Sequence, residues 1–313
     1  MSLSLLISIQ QQITRIGYSL CILIGNIGGV MGLFVFLQRS IRRNPCGLYF
    51  IAYVIINMMY INFTILLAVL SSLFNINPSI QSSTFCRIQF YISFILAVIP
   101  SYLLVMASVD RSLASSSNVH TRSKSNRRFA IFMIGIICIF WILFHLHSFF
   151  TIDIQLLYGT QVCTYFQGFP STFISYYNLI CIGIIPFLLM IGFGIQILIN
   201  IRQIRLNPNR SQNNRRLIVL LVIQIITYII LRLPTSLYLV YKEITKSNIK
   251  SSNQLIIEQF IQSIVYFCQF IQISISPLLN LIIKTFRYEL KQALNKIIRK
   301  YNPIHPIQMP SNV

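Results

Sequence analysis

The chain has 313 residues, of which 55% are hydrophobic and only 10% are charged, and its formal net charge is +20 at pH 7. A water-soluble domain of this length does not combine so many apolar residues with so few charges, so the composition predicts a membrane protein. Nucleic acid is not an expected partner, because the basic residues lie between apolar segments rather than on one face of a globular domain.

Seven stretches of mostly apolar residues are each long enough to cross a hydrocarbon core of roughly 30 Å as a helix. They are predicted, in chain order, near residues 13–37, 47–73, 86–109, 129–150, 172–201, 216–241 and 256–283. The fold class predicted from them is an all-α membrane protein, with a seven-transmembrane helix bundle that occupies residues 1–283. These helices are called spans one to seven.

The basic residues predict the orientation of the bundle. Most of the 25 lysines and arginines lie in the connections after spans one, three and five and in the segment after span seven. The opposite side holds only Arg15, Arg87, Lys242, Lys246 and Lys250, and Arg232 lies within span six. By the positive-inside rule, the amino terminus is outside and the carboxyl terminus is in the cytoplasm.

Two of the seven cysteines lie in segments assigned to the outside. Cys86 stands at the outer start of span three, and Cys163 stands in the loop between spans four and five. Because the exterior is oxidising, a disulfide between them is predicted, and two unrelated free thiols are the alternative. The bond would hold the outer loop 151–171 across the mouth of the bundle.

Asp110 and Arg111 stand at the inner end of span three, where the apolar stretch gives way to a serine-rich basic segment. By position alone, Arg111 could be an ordinary interfacial anchor at a helix end.

The order of these residues resembles the rhodopsin-like (class A) G-protein-coupled receptors. Cys86 is followed by Asp110-Arg111, then by a single tryptophan, Trp141, and then by Cys163. Further matches, at most one to a span, are Gly25-Asn26, Asn57, Pro186, Pro234 and Pro277. The resemblance implies that Asp110 and Arg111 couple to a G protein. It also implies packing or switch roles for a larger set of residues in the bundle: Asn26, Asn57, Trp141, Pro186, Tyr228, Pro234, Ser276, Pro277 and Asn280.

Several positions depart from the family pattern. Ser112 follows Asp110-Arg111 in place of tyrosine, and Asn57 replaces the aspartate of span two. In span seven the family motif Asn-Pro-x-x-Tyr reads "SPLLN", with Ser276 and Asn280 at its ends. In span six, Arg232 stands where the family has a tryptophan.

The resemblance also implies a ligand pocket among the outer halves of spans three, five, six and seven. Candidate lining residues are Gln89, Ser93, Asn178, Arg232, Thr235 and Tyr266. The alternative for each is a hydrogen bond between helices. Ser93 stands where amine receptors have aspartate, and Phe270 stands where opsins have lysine. The expected ligand is therefore a peptide or a small acidic or neutral molecule.

Arg232 is a special case, because an arginine near mid-membrane costs about 2.5–3.5 kcal/mol on insertion scales. No acidic residue is well placed along the sequence to pair with it. Either the polar side chains of Asn57, Gln272, Ser276 and Asn280 satisfy it, or it receives an anionic ligand.

The segment after span seven, "KTFRYELKQALNKIIRKY", has apolar residues at helical spacing and basic residues around them. It predicts a short amphipathic eighth helix on the lipids of the inner leaflet, within a cytoplasmic segment 284–313. It resembles the eighth helix of the same receptors.

Catalysis is not expected, because the chain has only five acidic residues and none lies well inside a span. His145 and His147 are two positions apart, which argues against a shared metal, and no cofactor is predicted.

Two functions of different classes follow. The first is a plasma-membrane receptor that converts binding of an extracellular ligand into activation of a heterotrimeric G protein. The alternative is a transporter or channel that uses Arg232 as a substrate site. Because the activation motifs are altered, a receptor-like protein that binds ligand without signalling is a further possibility.

Overall fold

The computed structural model describes residues 3–74, 76–157, 160–203, 208–248 and 250–279. Within these ranges, seven helices are long and apolar enough to cross a membrane. They are Leu3–Phe36, Pro45–Phe74, Ser83–Ala114, Arg127–Thr151, Phe169–Asn200, Leu221–Ile244 and Ser252–Leu279. The predicted seven-helix bundle is therefore confirmed. The terms outer and inner refer to the two sides predicted from the basic residues.

Span one begins at Leu3, well before its predicted start at residue 13. The segment Leu3–Gln12 is α-helical and packs against span seven, and a π-helical turn, Ile13–Gly17, joins it to the helix Tyr18–Phe36. The polar residues Gln10 to Gln12 concealed this extension. Leucine, isoleucine and glutamine are adequate helix formers, so extending an existing helix through them needs no new nucleus.

Span three is the central helix of the bundle. In its most apolar stretch 61% of the residues are buried, against 22% for span four. Its buried side chains, among them Val98, Ile99 and Leu103, pack with Phe50 and Val54 of span two in the main hydrophobic core. The helix continues to Ala114, so Asp110 and Arg111 lie about one turn before its end.

The surface of the bundle that would face lipid is apolar. On span four, Phe132, Ile139 and Leu143 are all exposed. Water-soluble proteins rarely leave apolar patches of this kind uncovered, whereas a lipid-facing helix requires them.

A β-hairpin, which the hydropathy pattern does not predict, forms the loop between spans four and five. Strand β1, Ile152–Leu157, pairs antiparallel with strand β2, Thr160–Tyr165, and Ile154 lies opposite Cys163. Shorter helices complete the described connections, at Arg39–Arg42, Pro78–Gln81 and Val119–Ser123.

Some predictions fall on residues outside the described ranges. They are Asn280, the segment 284–313 with its eighth helix, and the end of the predicted bundle at residue 283. These stay predictions, as does the outside position of the amino terminus.

Candidate functional site

The outer end of span three is bonded covalently to the hairpin. Cys86 and Cys163 form a disulfide, with their Cα atoms 5.8 Å apart, as the sequence predicted. The cysteine of β2 is therefore fixed against the first turn of span three.

An ion pair fixes β1 to the same turn. The Arg87 Nη2 atom lies 2.7 Å from the Asp153 Oδ2 atom, and Arg87 Nε donates to the carbonyl of Ile152 at 3.1 Å. The Ser83 hydroxyl also donates to Asp153. These hydrogen bonds, from Ser83 first and then Arg87, lower the pKa of the Asp153 carboxyl to about 2. Asp153 is therefore charged at every physiological pH.

At the inner end of span three, Asp110 and Arg111 are only 5% and 3% exposed. Arg111 Nη2 donates to Asp110 Oδ2 at 2.6 Å and to the side-chain oxygen of Asn44 at 2.5 Å. The other Asp110 oxygen accepts from the Ser125 hydroxyl at 2.6 Å. An interfacial anchor would extend its charge towards the lipid headgroups. This guanidinium instead lies inside the protein.

The position of Asn44 follows from local sequence. Asn44 is the N-cap of span two, with its side-chain oxygen accepting from Cys46 N at 3.2 Å, and Pro45 occupies the first helical position. The same oxygen receives Arg111, so one amide joins the start of span two to the end of span three.

Span five contacts the residues that follow Arg111. Asn200 Nδ2 donates to the Ser112 carbonyl at 3.3 Å and to the Ser115 hydroxyl at 3.1 Å. Ser112, which stands where the family has a tyrosine, is buried, and this small residue lies where span five approaches closely.

A second polar cluster joins spans two, six and seven. The Tyr53 hydroxyl and the Ser276 hydroxyl are 2.7 Å apart, and Ser276 Oγ donates to Gln224 Oε1 at 2.5 Å. Gln224 Nε2 donates to the Ser276 carbonyl at 2.7 Å, and Gln272 Nε2 donates to Tyr53 at 3.3 Å. All four side chains are buried. The sequence pattern did not single out Tyr53 or Gln224, although a glutamine within the apolar run "LLVIQII" is a signal of a buried polar contact.

Pro186 explains a third polar contact. Proline has no N–H, so it cannot donate to the carbonyl of Ile182 four residues earlier. The Tyr228 hydroxyl of span six donates to that carbonyl, and Tyr228 also lies 2.9 Å from the Ser101 hydroxyl of span three. The segment Asn178–Ile184 before the proline is π-helical.

Arg232 is 5% exposed and lines a central cavity of about 10 Å³. Asn57, Ala97, Pro100, Ser101 and Gln272 line the same cavity. Arg232 Nη2 donates to the Ala97 carbonyl at 3.4 Å. Within the described ranges, no acidic side chain forms an ion pair with Arg232.

The six predicted pocket residues do not meet in this cavity, because only Arg232 lines it. Gln89 accepts from Ser79, and Ser93 lies 3.0 Å from Thr64. Asn178 donates to the Ile174 carbonyl at 3.0 Å in its own helix, and Thr235 donates to the Val265 carbonyl at 2.9 Å. Tyr266 is close enough to Gln262 to interact with it.

A larger cavity, of about 340 Å³, lies elsewhere at the outer side. It is formed by the outer ends of spans four and five and by β2, rather than by spans three, six and seven. Its lining includes Phe144, His147, Tyr165, Phe169 and Phe173, so it is largely aromatic.

The remaining predicted packing residues fall into two groups. Trp141 is buried and lies 4.9 Å from the Tyr102 ring, measured between ring centroids, and Pro234 and Pro277 lie within helices. Asn26 instead exchanges hydrogen bonds with Asn62, at 3.1 and 2.7 Å, on an exposed part of the bundle.

The geometry agrees with the comparison with known families. The family model of the seven-transmembrane receptors of the rhodopsin family matches residues 28–279. This match begins after Asn26, within span one, and covers spans two to seven completely. A comparison with curated proteins finds no match. The matched family consists of receptors and not enzymes. The chain is a multi-pass membrane protein that belongs to the rhodopsin family of seven-transmembrane receptors.

Proposed function

We infer that this receptor converts binding of an extracellular ligand into activation of a heterotrimeric G protein at its inner face. The plasma membrane, which is typical of the family, is the compartment in which an outside ligand and a cytoplasmic G protein are both accessible. A ligand would act by favouring one of two arrangements of the same bundle.

The observation that carries this proposal is the buried cluster around Arg111. The guanidinium is held by Asp110 of its own helix and by Asn44 at the start of span two. A partner that binds Arg111 must first separate it from these groups. Such a cluster can exist in two discrete arrangements, closed or opened towards the cytoplasm, and two discrete arrangements are what a switch requires.

The outer charges support an acidic or neutral ligand, either a peptide or a small molecule. Asp153, Glu243 and Glu258 are each paired with a basic residue, Arg87, Lys246 and Lys250 respectively. Lys242 donates to the neutral Gln262 Oε1 at 3.3 Å. The acids at this side are therefore already neutralised, and a cationic ligand would find little to attract it.

The test is a screen of G-protein activation against libraries of peptides and acidic metabolites, with the receptor in cell membranes. The control is Arg111→Ala at matched surface expression, because it removes the proposed contact and leaves the outer side unchanged. A ligand that binds both proteins but drives nucleotide exchange only in the unsubstituted one supports the proposal. Binding without exchange in either protein would identify a receptor that does not signal.

A transporter or channel is the weaker alternative. The family assignment favours a receptor, and the cavity beside Arg232 is too small for an organic substrate in this arrangement.

A further inference from the structure

The buried guanidinium of Arg232 is the least compensated charge in the described core. It lies two residues before Pro234 in span six and is 5% exposed. Its hydrogen bond to the Ala97 carbonyl is long, at 3.4 Å, and neutralises no charge. A buried cation without an anion is costly, because the interior cannot replace the hydration that the ion loses.

A second buried polar side chain lines the same cavity. Asn57 is 2% exposed, and its Nδ2 atom makes no hydrogen bond of normal geometry. The Tyr53 hydroxyl is close enough to interact with Asn57, and it also contacts Ser276 and Gln272. Two nearly buried side chains, one of them positively charged, therefore line one cavity, and within the described residues neither has a charged acceptor.

The other polar groups around the cavity supply only neutral acceptors. The Tyr228 hydroxyl donates to the Ile182 carbonyl, so the Ser101 hydroxyl must donate to Tyr228. Gln272 Nε2 donates to Tyr53 at 3.3 Å. Within the described part of the chain, all the groups that line the cavity are neutral except Arg232.

The volume of the cavity limits what could complete the site. A space of about 10 Å³ admits roughly one particle of the size of a water molecule. An organic carboxylate does not fit there in this arrangement. A single small ion does, and the uncompensated positive charge of Arg232 favours a negative one.

We propose that Arg232 and Asn57 form a binding site for a monoatomic anion, with chloride as the physiological ion. Chloride neutralises the guanidinium and accepts the Asn57 amide N–H. It thereby connects span six to span two and to the part of span three around Ala97. The bound ion stabilises this arrangement of the three helices, because binding to the folded state alone raises its stability.

The experiment measures the thermal unfolding of the full chain in lipid nanodiscs with a thiol-reactive fluorescent dye. Cys21 and Cys46 are free and buried, so the dye reports unfolding. Three salts are compared at equal ionic strength: sodium chloride, N-methylglucamine chloride and sodium gluconate. Both chloride salts should raise the Tm by about 3 °C over gluconate, with a saturable dependence on concentration. Equal Tm values in all three salts, or a Tm that follows sodium, would overturn the proposal.

Three variants locate the effect. Arg232→Gln should remove the difference in Tm between chloride and gluconate. Asn57→Asp should also remove this difference, and it should raise the Tm in gluconate, because the new carboxylate supplies the anion internally. Arg87→Gln is the matched control, since it removes an outer arginine and its ion pair and should retain the full chloride effect. If Arg232→Gln does not fold, Asn57→Asp decides alone. A chloride effect that persists in Asn57→Asp contradicts the site.

Discussion

Arg111 of span three donates to the side-chain oxygen of Asn44, at 2.5 Å, and this same oxygen caps the first turn of span two. One short polar side chain therefore has two tasks at the inner face. It satisfies a backbone N–H that a helix start would otherwise leave without a partner, and it holds a guanidinium inside the protein.

The first prediction concerns this relationship. Asn44→Ala removes an acceptor from Arg111 and should favour the arrangement in which the arginine faces the cytoplasm. A hydrogen bond to a charged group contributes about 1.5–3 kcal/mol, so basal nucleotide exchange should rise by about tenfold or more. Exchange without ligand is measured in membranes at matched receptor density. Asn44→Asp, which retains the cap and the acceptor, is the control and should not raise basal exchange.

The second prediction concerns Asp110, which accepts from both Arg111 and Ser125. Asp110→Asn weakens the restraint on the arginine, whereas Ser125→Ala removes only one neutral donor. Basal exchange should therefore rise more in Asp110→Asn than in Ser125→Ala. The opposite order would show that the loop contact, and not the ion pair, controls the inner face.

The sequence predicted those parts of the fold that depend on composition and spacing. Seven apolar stretches predicted seven spans, and two outer cysteines predicted the disulfide, because neither inference needs three-dimensional detail. The start of span one and the hairpin were missed. Packing against span seven extends the first helix. The strands β1 and β2 pair within the loop between spans four and five, and local hydropathy does not reveal this pairing.

The polar contacts of the bundle were predicted less completely, because they depend on which helix faces meet. One of the two alternatives for Arg232 placed Asn57, Gln272 and Ser276 beside it. Asn57 and Gln272 do line one cavity with Arg232, whereas Ser276 is bonded to Tyr53 and Gln224. The sequence shows that a polar residue lies within a span. It does not show which of several partners the rotation of each helix will select.

The third prediction concerns Asp153, whose carboxyl has a pKa of about 2. Its ordinary value is about 3.9, so the folded state favours the charged form. The resulting stabilisation is present above about pH 4 and is lost as the pH falls towards 2. Between pH 8 and pH 5 the contacts of Asp153 with Arg87 and Ser83 should not change. Asp153→Asn should instead speed hydrogen exchange of the β1 amides throughout this range, as measured by mass spectrometry.

The control for that experiment is Ser83→Ala, which removes one hydrogen bond to Asp153 and retains Arg87 as its partner. A smaller increase in exchange is expected. Unchanged exchange in Asp153→Asn would mean that the disulfide alone holds the hairpin.

The fourth prediction tests whether Tyr228 substitutes for the hydrogen bond that Pro186 cannot make. The Tyr228 hydroxyl donates to the Ile182 carbonyl, which lies four residues before Pro186. Tyr228→Phe leaves that buried carbonyl without this donor and should lower the free energy of unfolding by about 1–3 kcal/mol. Pro186→Ala restores an N–H to the helix and provides a competing donor.

The two substitutions should therefore not be additive. In the Pro186→Ala background, Tyr228→Phe should cost less than in the unsubstituted chain, by about 0.5–1 kcal/mol, as expected for residues that share one partner. The four free energies are obtained by denaturant unfolding in mild detergent. Ser101→Ala is the control, because it removes the other contact of Tyr228 and should have the same cost in both backgrounds. Equal costs of Tyr228→Phe with and without Pro186 would show that the tyrosine stabilises spans five and six for a reason unrelated to the proline.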